Sequence, residues 1–238
     1  MTTRRLFLAT LLSSCSQAQS GVRIRARPVK SPTGETIAGV IPLELRKDRD
    51  ALLYVPKSLP NPAPLVLYLH GATGDERQGI RRLGDLAEEF GFLLLSPASQ
   101  EITWDAIRSS YGPDVSLIDR ALDKVFSQRR VDPKKIAVCG FSDGASYASG
   151  LGISNGDLFR VAIAFSPGFI PEGVKREGSP RILISHGTKD QILPFESTTG
   201  QLLPLLKQAG YSVTFREFDG PHTVPPDIAR GAMEWFLK

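Results

Sequence analysis

The stretch Gly140-Phe141-Ser142-Asp143-Gly144 restricts the fold more than any other part of this 238-residue chain, because it directly follows the apolar run Ile136-Ala137-Val138-Cys139. A short buried strand that closes in G-x-S-x-G and passes into a helix makes a sharp turn. Such a turn holds the serine in a strained backbone conformation with its hydroxyl at the tip. Glycines on both sides remove side chains that would collide with the neighbouring strand and helix. Ala145-Ser146-Tyr147-Ala148-Ser149 then offers small residues suited to a helix packed close to a sheet. The plainer reading is a glycine-rich turn whose serine caps the helix. The strand before it and the helix after it favour a nucleophile.

A nucleophilic serine needs a base, and the chain has three histidines, His70, His186 and His222. His70 ends the run Leu65-Val66-Leu67-Tyr68-Leu69, and His186 ends Ile182-Leu183-Ile184-Ser185. Both read as strand-end residues that brace loops. His222 lies in the turn-rich segment Asp219-Gly220-Pro221-His222, between the strand-like Val213-Thr214-Phe215 and an amphipathic helix from about Pro226 to Leu237. A loop in that place can swing its ring over the serine, so His222 is the expected base. Asp190 follows a buried strand and is expected at the carboxyl edge of the sheet, where ligands bind in open α/β folds. It is the expected partner that orients the imidazole; alone, it would read as a turn residue. The oxyanion of a tetrahedral intermediate calls for two donors. One is the backbone N–H after the serine, that of Asp143. Ala72, in the glycine-bearing loop His70-Gly71-Ala72-Thr73-Gly74, is the expected second. The Asp143 carboxylate should turn away from the oxyanion, toward the positive end of the helix dipole.

Apolar runs alternate with helix-like segments, which argues for a mostly parallel sheet covered on both faces. Strands are expected at Ala51–Val55, Leu65–Leu69, Phe92–Ser96, Ile136–Cys139, Val161–Phe165, Arg181–Ser185 and Val213–Phe218. Helices are expected at Arg81–Phe90, Val115–Arg129, Ala145–Leu151, Thr198–Ala209 and Asp227–Leu237. Val115, Ile118, Leu122 and Val125 recur at helical spacing and read as core packing. The chain divides into a leader over residues 1–20, an N-terminal segment with edge strands over 21–50, and one catalytic domain over 51–238.

Leu69-His70-Gly71, Gly140 to Ala145, His186-Gly187-Thr188-Lys189-Asp190 and Gly220-Pro221-His222-Thr223 together resemble the α/β-hydrolase superfamily. The likeness is strongest to the phospholipase/carboxylesterase group and to bacterial polyhydroxybutyrate depolymerase-like esterases, and it covers about Ala51 to Lys238. The order Ser142, Asp190, His222 is the one α/β-hydrolases use. The resemblance implies an α/β-hydrolase fold and cleavage of carboxylic esters by a Ser-His-Asp triad.

Arg4 and Arg5 precede the apolar stretch Leu6 to Leu12, the layout of a signal peptide too short to span a bilayer. Thr3-Arg4-Arg5-Leu6-Phe7-Leu8 resembles a twin-arginine signal. Leu12-Ser13-Ser14-Cys15 resembles a lipobox with Cys15 as the lipidated residue, and Ser16-Gln17-Ala18 offers an ordinary cleavage site instead. Export to the periplasm or cell envelope is expected either way. The formal charge of +4 falls to +2 without Arg4 and Arg5. Arg23, Arg25, Arg27 and Lys30 alternate with Val22, Ile24 and Ala26, which suits an exposed edge strand guarded by charge. The sharper alternative for this cluster is attraction to an anionic membrane surface; otherwise a membrane is expected to be met only through a lipid anchor on Cys15, and nucleic-acid binding is not expected. Cys139, at the end of a buried strand, reads as inert core. No cysteine or histidine cluster has metal spacing and no glycine-rich loop cradles phosphate, so neither metal nor cofactor is expected.

Only Ser166 to Pro180 separate two central strands, where many lipases insert a cap. That length makes a loop without a helical lid, so no cap domain is expected. An open site suits small esters or accessible esters on larger molecules. Trp104, Tyr111, Phe169, Ile170 and Phe195 are candidate pocket walls, and each reads equally well as ordinary packing. Polyhydroxyalkanoate oligomers and feruloylated sugars are alternative substrates. Peptidase activity and a non-catalytic binding role on the same fold are the remaining rivals.

Overall fold

The computed structural model describes residues 22–34 and 37–238. The expected leader, with Arg4, Arg5 and Cys15, lies outside the described residues. Eight strands form one sheet: β1 (Gly39–Pro42), β2 (Ala51–Val55), β3 (Ala63–Leu69), β4 (Leu93–Pro97), β5 (Val131–Phe141), β6 (Val161–Phe165), β7 (Arg181–Gly187) and β8 (Val213–Phe218). Their order is β1-β2-β4-β3-β5-β6-β7-β8. β1 and β2 run antiparallel to their neighbours, and β3 to β8 are mutually parallel.

The central strands read as near-continuous apolar runs because both faces are covered. Period-two alternation divides them between two cores. Leu65, Leu67, Leu69, Ile136 and Val138 face one core, with α3 (Pro113–Gln128) and α4 (Asp143–Ser154) packed over them. Val66, Tyr68, Ala137 and Cys139 face the other, against α1 (Arg77–Phe90) and α7 (Pro226–Leu237). Val115, Ile118, Leu122 and Val125 are buried in the first core. Cys139 is fully buried in the second, and burial pushes its thiol pKa up, away from the reactive thiolate.

Three local expectations need correction. The helix expected over Thr198–Ala209 is broken into α5 (Phe195–Ser197), a π-helical turn (Thr198–Leu202) and α6 (Leu203–Gln208). Leu203 N–H reaches back to the Thr198 carbonyl. Pro204 has no N–H to offer, and its ring would crowd the carbonyl one turn back, so the backbone widens there. A short helix unseen in the sequence, α2 (Asp105–Arg108), lies between β4 and α3. The third correction concerns the basic N-terminal segment. Val22, Ile24 and Ala26 are buried as the alternation requires, yet residues 22–34 join no strand. The segment is a strap over the helices, and its polar groups are met by side chains. Asn155 takes the Ile24 N–H (2.8 Å) and gives its own amide to the Val22 carbonyl (2.9 Å). Asp119 takes the Arg25 and Ala26 N–H groups (2.8 Å each). Arg23 and Arg27 both reach Asp157. The exposed edge strand is β1 instead.

Between β6 and β7, residues 166–180 form bends and turns with no helix, so no cap is inserted there. β5, β7, β8 and β3 all end at one rim of the sheet, and the loops that leave them carry the residues considered next.

Candidate active site

β5 delivers Ser142 and α4 begins at once behind it, so one residue must reverse the chain. Ser142 does so at φ 56°, ψ −122°, a conformation costing about 1–3 kcal/mol in a non-glycine residue. The flanking glycines follow from close approach. A Cβ on Gly140 would strike the Gly144 carbonyl, and one on Gly144 would strike the carbonyls of Leu69 and His70. The turn is locked by Ser142 N–H to the Phe165 carbonyl (2.9 Å) and by Ala145 and Ser146 N–H groups to the Ser142 carbonyl (2.9 and 3.0 Å).

The structure brings Ser142, His222 and Asp190 together across 80 residues of chain. Ser142 Oγ lies 2.8 Å from His222 Nε2, and His222 Nδ1 lies 2.6 Å from Asp190 Oδ2. An ionised carboxylate can only accept, so Nδ1 carries the hydrogen and Nε2 is left as the acceptor for the serine hydroxyl. The His222 side chain keeps 13% exposure, whereas the Asp190 side chain has none. Burial pushes the Asp190 carboxyl pKa up. The hydrogen bond from His222 and those from Leu193 and Ile192 N–H to Oδ1 (2.9 Å each) outweigh it, so the net displacement is downward. Asp190 therefore stays ionised as an orienter of the imidazole.

The loop after β3 settles which N–H is free. Gly71 N–H goes to Gln78 Oε1 (2.9 Å), Thr73 N–H to the Ile102 carbonyl (2.6 Å) and Gly74 N–H to the Gly71 carbonyl (3.0 Å). Among the described residues no acceptor takes the Ala72 N–H, and none takes the Asp143 N–H at the head of α4. Both expected oxyanion donors are thus unengaged. The Asp143 carboxylate accepts from the Thr103 hydroxyl (2.6 Å).

His70 is fully buried and holds this loop from behind. Its Nε2 accepts the Ser99 N–H (2.9 Å), so Nδ1 bears the hydrogen and donates to the Gly71 carbonyl (2.7 Å). Burial lowers its pKa to about 4, which keeps it neutral. Trp104 Nε1 donates to the His70 carbonyl (2.8 Å), and its ring packs between His70 and Tyr147.

Trp104 is corrected from pocket wall to core, because it has no exposed surface. Tyr111 packs on Tyr147 at 4.9 Å between centroids and is likewise packing. Ile170 is half-buried against the larger core, and Phe195 is half-buried between His186 and Phe215. Phe169 does face solvent, on a loop tied to α4 through Ser146 Oγ and the Gly168 N–H (3.0 Å). Two exposed residues on site loops escaped the sequence reading: Ile102, whose carbonyl anchors Thr73, and Ile192, whose N–H anchors Asp190. Thr103 was missed as well. Its only signal is proximity to Asp143 in the fold.

The arrangement brings a serine hydroxyl, an imidazole hydrogen-bonded to a buried carboxylate, and two N–H groups without acceptors to one rim. Known proteins agree with that fold. NocK, a candidate esterase of Nocardia uniformis subsp. tsuyamanensis, is 26% identical over 228 residues, covering 82% of this chain. The chain spans 66%, just under two thirds, of the length of that relative. The Bacillus cereus carboxylesterase superimposes with a TM-score of 0.63 at 20% identity, over 80% of this chain and 94% of the other. The S-formylglutathione hydrolase FrmB of Staphylococcus aureus does so at 0.68 and 16% identity, over 87% and 99%. These likenesses establish the α/β-hydrolase fold. The model of the dienelactone hydrolase family matches residues 49–222, most of the chain and every residue from the β3 loop to the imidazole. This chain belongs to the dienelactone hydrolase family.

Proposed function

We propose that the protein is an exported serine esterase that cleaves carboxylic esters through an acyl-enzyme. The observation that carries this reading is the unbroken relay from Ser142 Oγ to His222 (2.8 Å) and from His222 to Asp190 (2.6 Å). Ser142 Oγ attacks the ester carbonyl carbon and its proton passes to His222 Nε2. Asp190 holds the ring and stabilises the imidazolium. The carbonyl oxygen becomes an oxyanion between the Ala72 and Asp143 N–H groups. Each such donor is typically worth about 3 kcal/mol in the transition state. His222 then protonates the departing alcohol, and the C–O bond breaks to leave the acyl group on Ser142. Water, deprotonated by His222, repeats the attack and releases the acid.

The site has no cap between β6 and β7, and Ile102, Phe169 and Ile192 stand exposed on its loops. An open mouth with apolar rim residues fits esters with apolar groups, whether small or borne on a larger molecule. The names of NocK and of the Bacillus cereus carboxylesterase point the same way. Export is proposed from Arg4-Arg5 and the apolar Leu6–Leu12, and cell fractionation checks it.

A fluorophosphonate probe should label Ser142, and Ser142→Ala should abolish labelling. A folded protein that stays unlabelled refutes the proposal and leaves a binding role. A panel of p-nitrophenyl esters of rising chain length, with feruloyl and hydroxybutyrate esters beside them, then identifies the acyl group.

A further inference from the structure

Asp190 has a second imidazole beside it. His186 Nε2 lies 3.1 Å from the same Oδ2 that holds His222, and 2.8 Å from the Leu193 carbonyl. His186 has no exposed surface. Both neighbours of Nε2 are acceptors, so Nε2 carries a hydrogen whatever the state of the ring. The other nitrogen, Nδ1, faces the Thr198 hydroxyl at 2.9 Å, and that hydroxyl also lies 3.0 Å from the Pro167 carbonyl. Thr198 sits at the start of the π-helical turn, the irregularity that presents it to the ring.

We propose that His186 is a positioning residue for the Asp190–His222 pair. Its Nε2–H clamps the Leu193 carbonyl, and the N–H of that same residue binds Asp190 Oδ1. One imidazole thus fixes the acid loop, with its Nε2–H on the Leu193 carbonyl and Nε2 standing 3.1 Å from Oδ2. The partial positive charge of that N–H, this close to Oδ2, moderates the field Asp190 exerts on His222. Other charges near the pair are engaged elsewhere. Lys189 pairs with Asp219 at 2.7 Å, Asp143 is held by Thr103, and Arg82 lies over the Phe141 ring that packs against His222. Glu217, opposite His186 in the β8 register, is exposed.

This inference rests on the triad reading, so the two are tested in one experiment. Wild-type labelling by fluorophosphonate at Ser142 tests the triad alone. Given labelling, kcat and KM are measured against pH for His186→Phe, His186→Asn and His186→Gln with the best ester of the panel. Phe and Asn cannot place an N–H at the Nε2 position, whereas Gln reaches it. Loss of the donor should lower kcat about tenfold with KM little changed. It should also move the acid limb of kcat/KM to higher pH, by about threefold in proton concentration. His186→Gln should restore both. Acid limbs that coincide in all four proteins reduce His186 to packing and overturn the proposal. The wild type gives a readout that needs no variant to fold. In histidine labelled with nitrogen-15, the His186 Nε2–H resonance should move over the pH range in which kcat/KM falls. A resonance that stays flat across that range also overturns the proposal.

Discussion

The buried neutral imidazole of His70 makes the fold sensitive to acid in a defined window. In the folded protein its pKa is lowered to about 4 by burial, against about 6.5 in an unfolded chain. Between those values the unfolded state binds more protons, so stability rises with pH and is lost as pH falls below about 6.5. The full displacement corresponds to about 3.4 kcal/mol, with about 2 kcal/mol already gone at pH 5 and about 3 kcal/mol at pH 4. That is a large part of the 5–15 kcal/mol typical of a domain. The structural reason is that protonating Nε2 would set a donor against the Ser99 N–H. The Asp190 carboxyl acts in a separate window. Its pKa is depressed, so its contribution is present above the unfolded carboxyl value and disappears only as pH falls through and below that value. Urea unfolding at pH 7.5, 6, 5 and 4.5 should be run on wild type and on His70→Gln, which keeps a polar side chain but does not titrate. The difference between the two free energies should shrink by about 2 kcal/mol from pH 7.5 to pH 5. A difference that stays constant with pH refutes the assignment of acid lability to His70.

Other perturbations follow from the geometry of single residues. Ser142→Gly should raise stability by about 1–3 kcal/mol, because glycine accepts the positive φ without strain; urea midpoints check it. Gly144→Ala should yield little folded protein, since its methyl group meets the Leu69 and His70 carbonyls, and circular dichroism with soluble yield reads this out. Asn155→Ala unpairs Ile24 N–H and the Val22 carbonyl, so it should cost about 2–3 kcal/mol and expose residues 22–34 to limited proteolysis. Cys139 should resist alkylation in the native state and react in denaturant, as mass spectrometry of its peptide would show.

What could be read in the sequence was whatever is encoded within a few residues. The G-x-S-x-G turn, the apolar strands and the helical spacing of Val115 to Val125 are local patterns, and β2, β6 and β8 lie where those patterns put them. His222 was reachable because only three histidines compete and the other two end strands. The strap was misread because alternation reports burial but not the partner. Ile24 is satisfied by Asn155, 131 residues away, and by no strand. For Trp104 the sequence leaves pocket wall and packing equally open, because the bond from its indole to the His70 carbonyl that decides between them depends on tertiary folding. The π-helical turn escaped because it follows from one proline, Pro204, inside an otherwise helical pattern, and helical spacing alone does not show where the backbone widens.

The same contacts suggest how the relay divides under load. Lys189 N–H binds the Gly220 carbonyl (3.0 Å) and Thr188 N–H the Phe218 carbonyl (2.9 Å). A Cβ on Gly187 would strike the carbonyls of Gly220 and Pro221, so the two loops touch backbone to backbone. Asp190 and His222 therefore ride on one welded pair of loops. Ser142 belongs to a different unit, fixed to β6 through the Phe165 carbonyl and to α4 behind it. Within the relay, the Ser142–His222 bond is the one that joins the two units. It is also the contact along which the proton must pass as Oγ attacks a carbonyl carbon. A small displacement of either loop should change the rate of attack while leaving the Asp190–His222 pair intact, because attack depends on the Ser142–His222 geometry.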